Sequence, residues 1–200
     1  MNKLHSLILA ITLLVGSVSV ATAQDFNKGL EAAQSGDYQT ALREWRPLAE
    51  QGVAIAQFNL GVMYDKGKGV PQDYAEAVKL YRLAAEQSYA SAQFNLGVIY
   101  RNGRGVPQDY AEAVRWYRLA AEQGHADAQN NLALMYELGQ AVLQSNVMAH
   151  MWYNIASANG RSKSGEWRDE RARLMSQADI SKAREMAREC MSSNYQNCGW

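Results

Sequence analysis

GVPQDYAEAVKLYRLAAEQ (Gly69–Gln87) and GVPQDYAEAVRWYRLAAEQ (Gly105–Gln123) differ only where Lys79 becomes Arg115 and Leu80 becomes Trp116. One reaction needs one site, whereas a stacked scaffold needs copies of itself. Working outward, the duplication extends well past these two segments. Asp37-Tyr38, Asp73-Tyr74 and Asp109-Tyr110 recur every 36 residues. Ala56-Gln57, Ala92-Gln93 and Ala128-Gln129 keep that step, as do Tyr64, Tyr100 and Tyr136, and Gly67, Gly103 and Gly139. A fixed period in this range signals a repeat array in which each unit buries its apolar faces on the next.

Each unit reads as two helices. Asp73 caps the second helix, with Glu76 three residues on, an acidic version of the capping box. Asp109 and Glu112 repeat the device. Tyr74, Ala77, Val78, Tyr81 and Ala84 then fall on one helical face. The first helix carries Ala56, Leu60, Met63 and Tyr64, repeated as Ala92, Leu96, Ile99 and Tyr100, then Ala128, Leu132, Met135 and Tyr136. Gly61 and Gly97 sit beside that stripe, where a missing side chain lets another helix approach. Phe58 and Phe94 point off the stripe, so these helices are apolar on more than one side and lie between neighbours.

The connecting segments KGKGVPQ (Lys66–Gln72) and NGRGVPQ (Asn102–Gln108) place Gly67 and Gly103 just past a helix end. Val70-Pro71 and Val106-Pro107 hold an extended approach to the next cap. Glycine with a basic residue also suggests a phosphate loop, but no strand precedes it and no Gly-Lys-Ser/Thr enters a helix.

With its A-x-x-x-L-G-x-x-Y, G-x-G-V and A-x-x-W/Y-Y-x-x-A-A elements, AQFNLGVMYDKGKGVPQDYAEAVKLYRLAAEQ resembles a Sel1-like repeat, a relative of the tetratricopeptide repeat. Residues 56–87 and 92–123 match almost fully. A third copy starts at Ala128 and runs through Ser145 to Gly160, with Ala133 for the packing glycine, Ala141 for the second loop glycine, and no Val-Pro. Asp37–Gly52 matches a second helix, with Trp45 at the Tyr81 position, and Asp25–Ser35 reads as its degenerate first helix. The resemblance implies an all-α, right-handed α-solenoid of stacked antiparallel helix pairs. Residues 161–200 follow as a helical cap, with one helix around Trp167 and another begun by the Ser176/Asp179 capping box.

The N-terminus reads as a secretory leader, residues 1–23. Lys3 precedes a mainly apolar run from Leu7 to Val20, and Ala21-Thr22-Ala23 has the form of a cleavage site. The run is shorter than the ~20 residues that span a bilayer, so no stable membrane insertion is expected after cleavage. The expected compartment is the periplasm or the exterior. Processing leaves residues 24–160 as the array and 19 basic side chains against 20 acidic ones. A near-neutral surface argues against nucleic acid as partner, which needs a basic field. Cys190 and Cys198 are the only cysteines. An isolated pair in an exported chain reads as a structural disulfide, with a redox pair as the alternative despite spacing that is not Cys-x-x-Cys.

No constellation in the sequence calls for a cofactor, metal or catalytic set. His125 and His150 lie on different elements without a second ligand at helical spacing, whereas zinc takes three or four ligands. No serine lies in a nucleophile elbow. Certain cysteine-rich secreted Sel1-like proteins are linked to β-lactam hydrolysis, but they carry a cysteine pair in each repeat, and residues 24–189 contain none. The leading expectation is therefore a non-enzymatic scaffold that binds a protein or peptide on the concave face of the array. Asn59, Asn95 and Asn131 repeat on the first helices, at the position that in tetratricopeptide proteins can hydrogen-bond a peptide. The alternative is that these amides hold repeat spacing. Asp65, Arg101 and Glu137 share one repeat position with different charges, and Arg101 is expected to be an exposed cation that reads a mixed-charge partner. Two rival functions remain: an envelope hydrolase, and a cell-wall glycan binder that stacks sugars on Trp116, Trp152 and Trp167.

Overall fold

The computed structural model describes residues 26–199, which are all-helical, with no strand among them. The leader assigned to residues 1–23 lies outside them. In chain order the helices are α1 (26–35), α2 (Tyr38–Glu50), α3 (Ala54–Lys66), α4 (Tyr74–Glu86) and α5 (Ala90–Asn102). They continue as α6 (Tyr110–Ala121), α7 (Ala126–Leu138), α8 (Asn146–Ala158), α9 (Lys163–Ala172) and α10 (Gln177–Ser192). None of the described helices is long and apolar enough to cross a membrane. Two compact units are resolved, one ending at Leu83 and the other beginning at Ala84.

The ends of the helices follow from the repeated residues. Asp37 accepts from the Thr40 amide, and Asp109 from the amides of Ala111 and Glu112. Ser145 replaces aspartate in the third copy and caps α8 through the Met148 amide. Gly67, Gly103 and Gly139 end α3, α5 and α7 in the left-handed conformation, each returning its N–H to a carbonyl four residues earlier. Gln72, Gln108 and Gln144 then donate to the carbonyls of Asp65, Arg101 and Glu137, all at 2.8 Å. The connecting loop is thus tied to the helix it leaves.

In the first unit, Trp45, Leu48, Leu60 and Met63 form the core between α2 and α3, with Phe26 stacked on Trp45. Gly29 permits this: a Cβ there would stand 2.4 Å from the Trp45 indole nitrogen. Gly61 does the same for the Tyr81 ring at 2.8 Å. In the second unit Gly97 admits Tyr117 at 2.5 Å, while Ala133 carries the Cβ that the other pairs lack. Tyr153, the partner in that pair, packs instead beside Trp167 of α9. Helices α9 and α10 both pack on α8, and Ala183, Ala187, Cys190 and Cys198 join its core. The Ser176/Asp179 capping box begins α10 as the sequence predicts. The Cys190–Cys198 bond is formed and both cysteines are buried, which suits a structural bond rather than thiol exchange.

Two positions depart from the repeat where the backbone needs glycine. Ser88 takes φ +62° where Gly52, Gly124 and Gly160 serve the other units, and Ala141 takes φ +56° where the loops before it use Gly69 and Gly105. A Cβ in this region costs about 1–2 kcal/mol. Ser88→Gly and Ala141→Gly are therefore expected to stabilise by about 1 kcal/mol each in urea unfolding. Gly97→Ala, which drives a methyl into the Tyr117 ring, is expected to destabilise by about 1–3 kcal/mol.

Candidate functional site

The buried polar groups show which repeated side chains the fold consumes. Gln57 of α3 is buried and donates through Nε2 to the Ala49 carbonyl at the end of α2, at 3.1 Å. Gln93 and Gln129 repeat this bond to Ala85 and Ala121, also at 3.1 Å. In the second unit the acceptor ends of these amides are used as well. Gln123 Nε2 donates to Gln93 Oε1 at 2.7 Å, and Asn159 Nδ2 to Gln129 Oε1 at 2.8 Å. The Tyr195 hydroxyl then donates to Asn159 Oδ1 at 3.0 Å and ends the series. Tyr195 lies inside the loop closed by the disulfide, with its own N–H on the Cys190 carbonyl. These amides are structural.

The sequence-predicted binding row is placed differently. Asn59 on α3, and Asn95 and Asn131 on α5 and α7, are half-buried, beside the apolar stripe of each helix. The variable position beside them does not carry three exposed charges. Asp65 is buried and pairs with Lys66 at 2.8 Å. Glu137 accepts from the Tyr153 hydroxyl at 2.8 Å and lies 3.4 Å from Arg171 of α9. Burial, followed by the Glu137 contact, pushes the Tyr153 hydroxyl above the ordinary tyrosine range. Arg101 is half-buried rather than the exposed cation expected, because it lies against the buried Tyr117 hydroxyl together with Asn131. Burial raises Tyr117 to about 12, and both neighbours act against that rise.

The tryptophan platforms expected of a glycan binder are not available. Trp116 and Trp152 are buried because they occupy the inward register of Leu80. Trp167 is half-buried, with Arg161 and Lys163 set over its ring. His125 and His150 are both used within the packing. His125 caps α7 by accepting the Ala128 amide on Nδ1 and stacks on Phe94. His150 is fully buried with neither ring nitrogen hydrogen-bonded. In the first unit an open groove of about 240 Å³ runs between α2 and α4 over Leu60, with Arg46, Glu50, Glu76 and Lys79 among its lining residues.

The Sel1 repeat model matches residues 54–89, 90–125 and 126–160. The chain belongs to the Sel1 repeat family. A Sel1 repeat protein from Oxalobacter formigenes has a similar structure, with 35% identity over 70% of this chain and 57% of that one, and a TM-score of 0.67. A second similar structure is c5321, described as a protective antigen present in uropathogenic Escherichia coli strains and displaying an SLR fold. It is 26% identical over 87% of this chain and 47% of that one, with a TM-score of 0.61. The chain thus spans about half the length of these relatives. No curated protein matches it. Its fold class is the all-α repeat solenoid, and Sel1 repeats are generally protein-interaction modules.

His150 gives this Sel1 array an acid sensitivity of definite sign. Burial, then Arg168 and Arg184, hold its pKa down at about 4, with Asp169 opposing. An unfolded histidine titrates near 6.5. Stability from this group is therefore complete above about pH 6.5 and falls as pH drops toward 4, where only the unfolded chain takes the proton. His125, also depressed by burial, acts in the same direction. Urea midpoints measured from pH 7 to pH 4 should fall, and His150→Leu should make that fall shallower.

Proposed function

We propose that this chain is an exported, non-enzymatic adaptor that binds a protein or peptide through the first-helix faces of its Sel1 pairs. Residues 24–160 form the binding array and residues 161–200 the cap that closes it. The observation that carries this reading is the half-buried asparagine row: Asn59 in the first unit, Asn95 and Asn131 in the second, all at one register of successive first helices. Their amides lie outside both the series built on Gln57, Gln93 and Gln129 and the loop ties made by Gln72, Gln108 and Gln144. An amide at a half-buried helix surface offers both a donor and an acceptor to an extended backbone. The Sel1 family's general use in protein interaction supports the same reading. Export is supported by the leader pattern in residues 1–23 and by the formed disulfide, which persists in oxidising compartments.

The test is affinity capture from cell-envelope extract with the native protein and with an Asn59/Asn95/Asn131→Ala triple variant. The triple variant should lose at least tenfold in affinity for the captured partner while its melting curve moves little. If it unfolds, the amides hold repeat spacing and the reading is wrong. If it folds and binds normally, the partner docks elsewhere, and the Lys79-bearing groove becomes the place to examine. Mass spectrometry of native material should find Gln24 as the first residue. A soluble cytoplasmic protein beginning at Met1 would remove the exported part of the proposal.

A further inference from the structure

The open groove of the first unit lacks a ring that the second unit has at the same register. Leu80 and Leu83 of α4 line one side, Arg46 and Glu50 of α2 the other, and Leu60 and Tyr64 of α3 lie between them. Leu80 stands 36 residues before Trp116 and 72 before Trp152. Both of those indoles are buried, whereas the groove beside Leu80 stays open at about 240 Å³ and Leu83 is 40% exposed. In the second unit the matching place, between α6 and α8 over α7, is closed. Tyr136 is buried there, and Arg118 Nη2 donates to its hydroxyl at 3.2 Å. Tyr64 is only half-buried, and Arg46 makes no hydrogen bond or ion pair with the described residues.

A cation is already set beside the groove as it is beside the ring. Arg115 holds Glu112 at 3.0 Å and lies 4.7 Å from the centre of the Trp116 ring. Lys79, one repeat earlier, holds Glu76 at 3.3 Å, and among the described residues no aromatic ring lies under it. Leu60, Leu80 and Leu83 offer apolar surface to a flat ring, and an ammonium over the ring face is attracted to its quadrupole. Arg46 and Glu50, neither bonded to another described residue, supply a donor and an acceptor at the rim. An indole uses both kinds of surface, because its body is apolar and its N–H seeks an acceptor.

We propose that the groove between α2 and α4 binds a tryptophan side chain of a separate polypeptide, which supplies from outside the indole that Trp116 and Trp152 supply from within. Lys79 lies over the face of that ring, and Leu80 is the residue whose small size leaves room for it. The groove lies between second helices, whereas the asparagine row lies on first helices. The polypeptide as carrier rests on the adaptor reading above; the indole site itself does not.

The experiment is a titration of methyl-labelled protein with N-acetyl-tryptophan amide, followed by NMR on the Leu60, Leu80 and Leu83 methyl groups. Saturable shifts at these methyls are expected, and N-acetyl-leucine amide should bind at least fivefold more weakly. Leu80→Trp installs the residue that this register carries in α6 and α8. It should abolish saturation at Leu60 and Leu83 while the melting curve stays in place. Lys79→Glu changes an exposed side chain outside the core and should weaken the probe at least fivefold, so the site is tested even if Leu80→Trp does not fold. Absence of saturation, or unchanged binding in either variant, overturns the site. Equal binding of the leucine compound overturns the indole assignment. Shifts at the same methyls on raising protein concentration alone would place a second copy in the groove and overturn the separate polypeptide. An alanine-based peptide with one internal Trp and blocked ends should compete with the probe. Failure to compete while the probe binds overturns the polypeptide assignment. The Asn59/Asn95/Asn131→Ala variant should bind the probe as the native protein does. Loss of partner capture with probe binding intact would count against the adaptor reading and not against the site.

Discussion

A buried glutamine holds each first helix to the end of the helix before it, and the rest of the molecule is arranged around keeping that amide satisfied. Gln57, Gln93 and Gln129 each donate to a last-turn carbonyl as its second partner, beside the turn amide of Gly52, Ser88 or Gly124. Donating leaves the amide oxygen in need of a partner. In the second unit Gln123 and Asn159 fill that need, and the partner of the last amide comes from Tyr195. A series of this kind cannot simply stop inside a protein, because each unpaired buried group costs about 1–3 kcal/mol. The C-terminal segment is the physical answer. The disulfide closes a short loop, the loop sets Tyr195 in a left-handed backbone conformation, and its hydroxyl meets Asn159.

That economy also separates scaffold from recognition. Side chains that repeat in the core are spent on stacking, so they carry no information about a partner. In the adaptor we propose, specificity falls to positions where the units differ. Asp65 and Glu137 have been drawn into internal pairs, whereas Arg101 stands over a buried hydroxyl with no carboxylate among the described residues to balance it. The three residues share one register but not one role, and burial decides between them.

Much of the architecture is legible from spacing because helix ends and packing faces each demand particular residues at a fixed step. Asp109, Gly103 and the Ala92-Leu96-Ile99 stripe do what their chemistry predicts. Gly29 escaped notice for a physical reason. The turn between α1 and α2 is short, so Gly29 lies 16 residues before Trp45, whereas Gly61 lies 20 before Tyr81. The shortened loop hides the match although the contact is the same. Trp116 and Trp152 look like surface aromatics in composition, yet their register is that of buried Leu80. The Ala-Gln dipeptides are visible in the sequence, but periodicity alone does not show that a glutamine spans from one helix to the previous one. The half-burial of Arg101 is equally hidden, since it depends on a hydroxyl 16 residues away in the next helix.

The dependence of the array on its buried amides is tested most directly by equilibrium urea unfolding of Gln129→Leu. The substitution keeps an apolar side chain in the space but takes the side-chain donor from the Ala121 carbonyl, which keeps only the Gly124 amide, and the acceptor from the Asn159 amide. The account predicts a loss of about 2 kcal/mol or more, with a lowered midpoint. A midpoint equal to that of the native protein would contradict it, since the helices would then be held together by apolar packing alone.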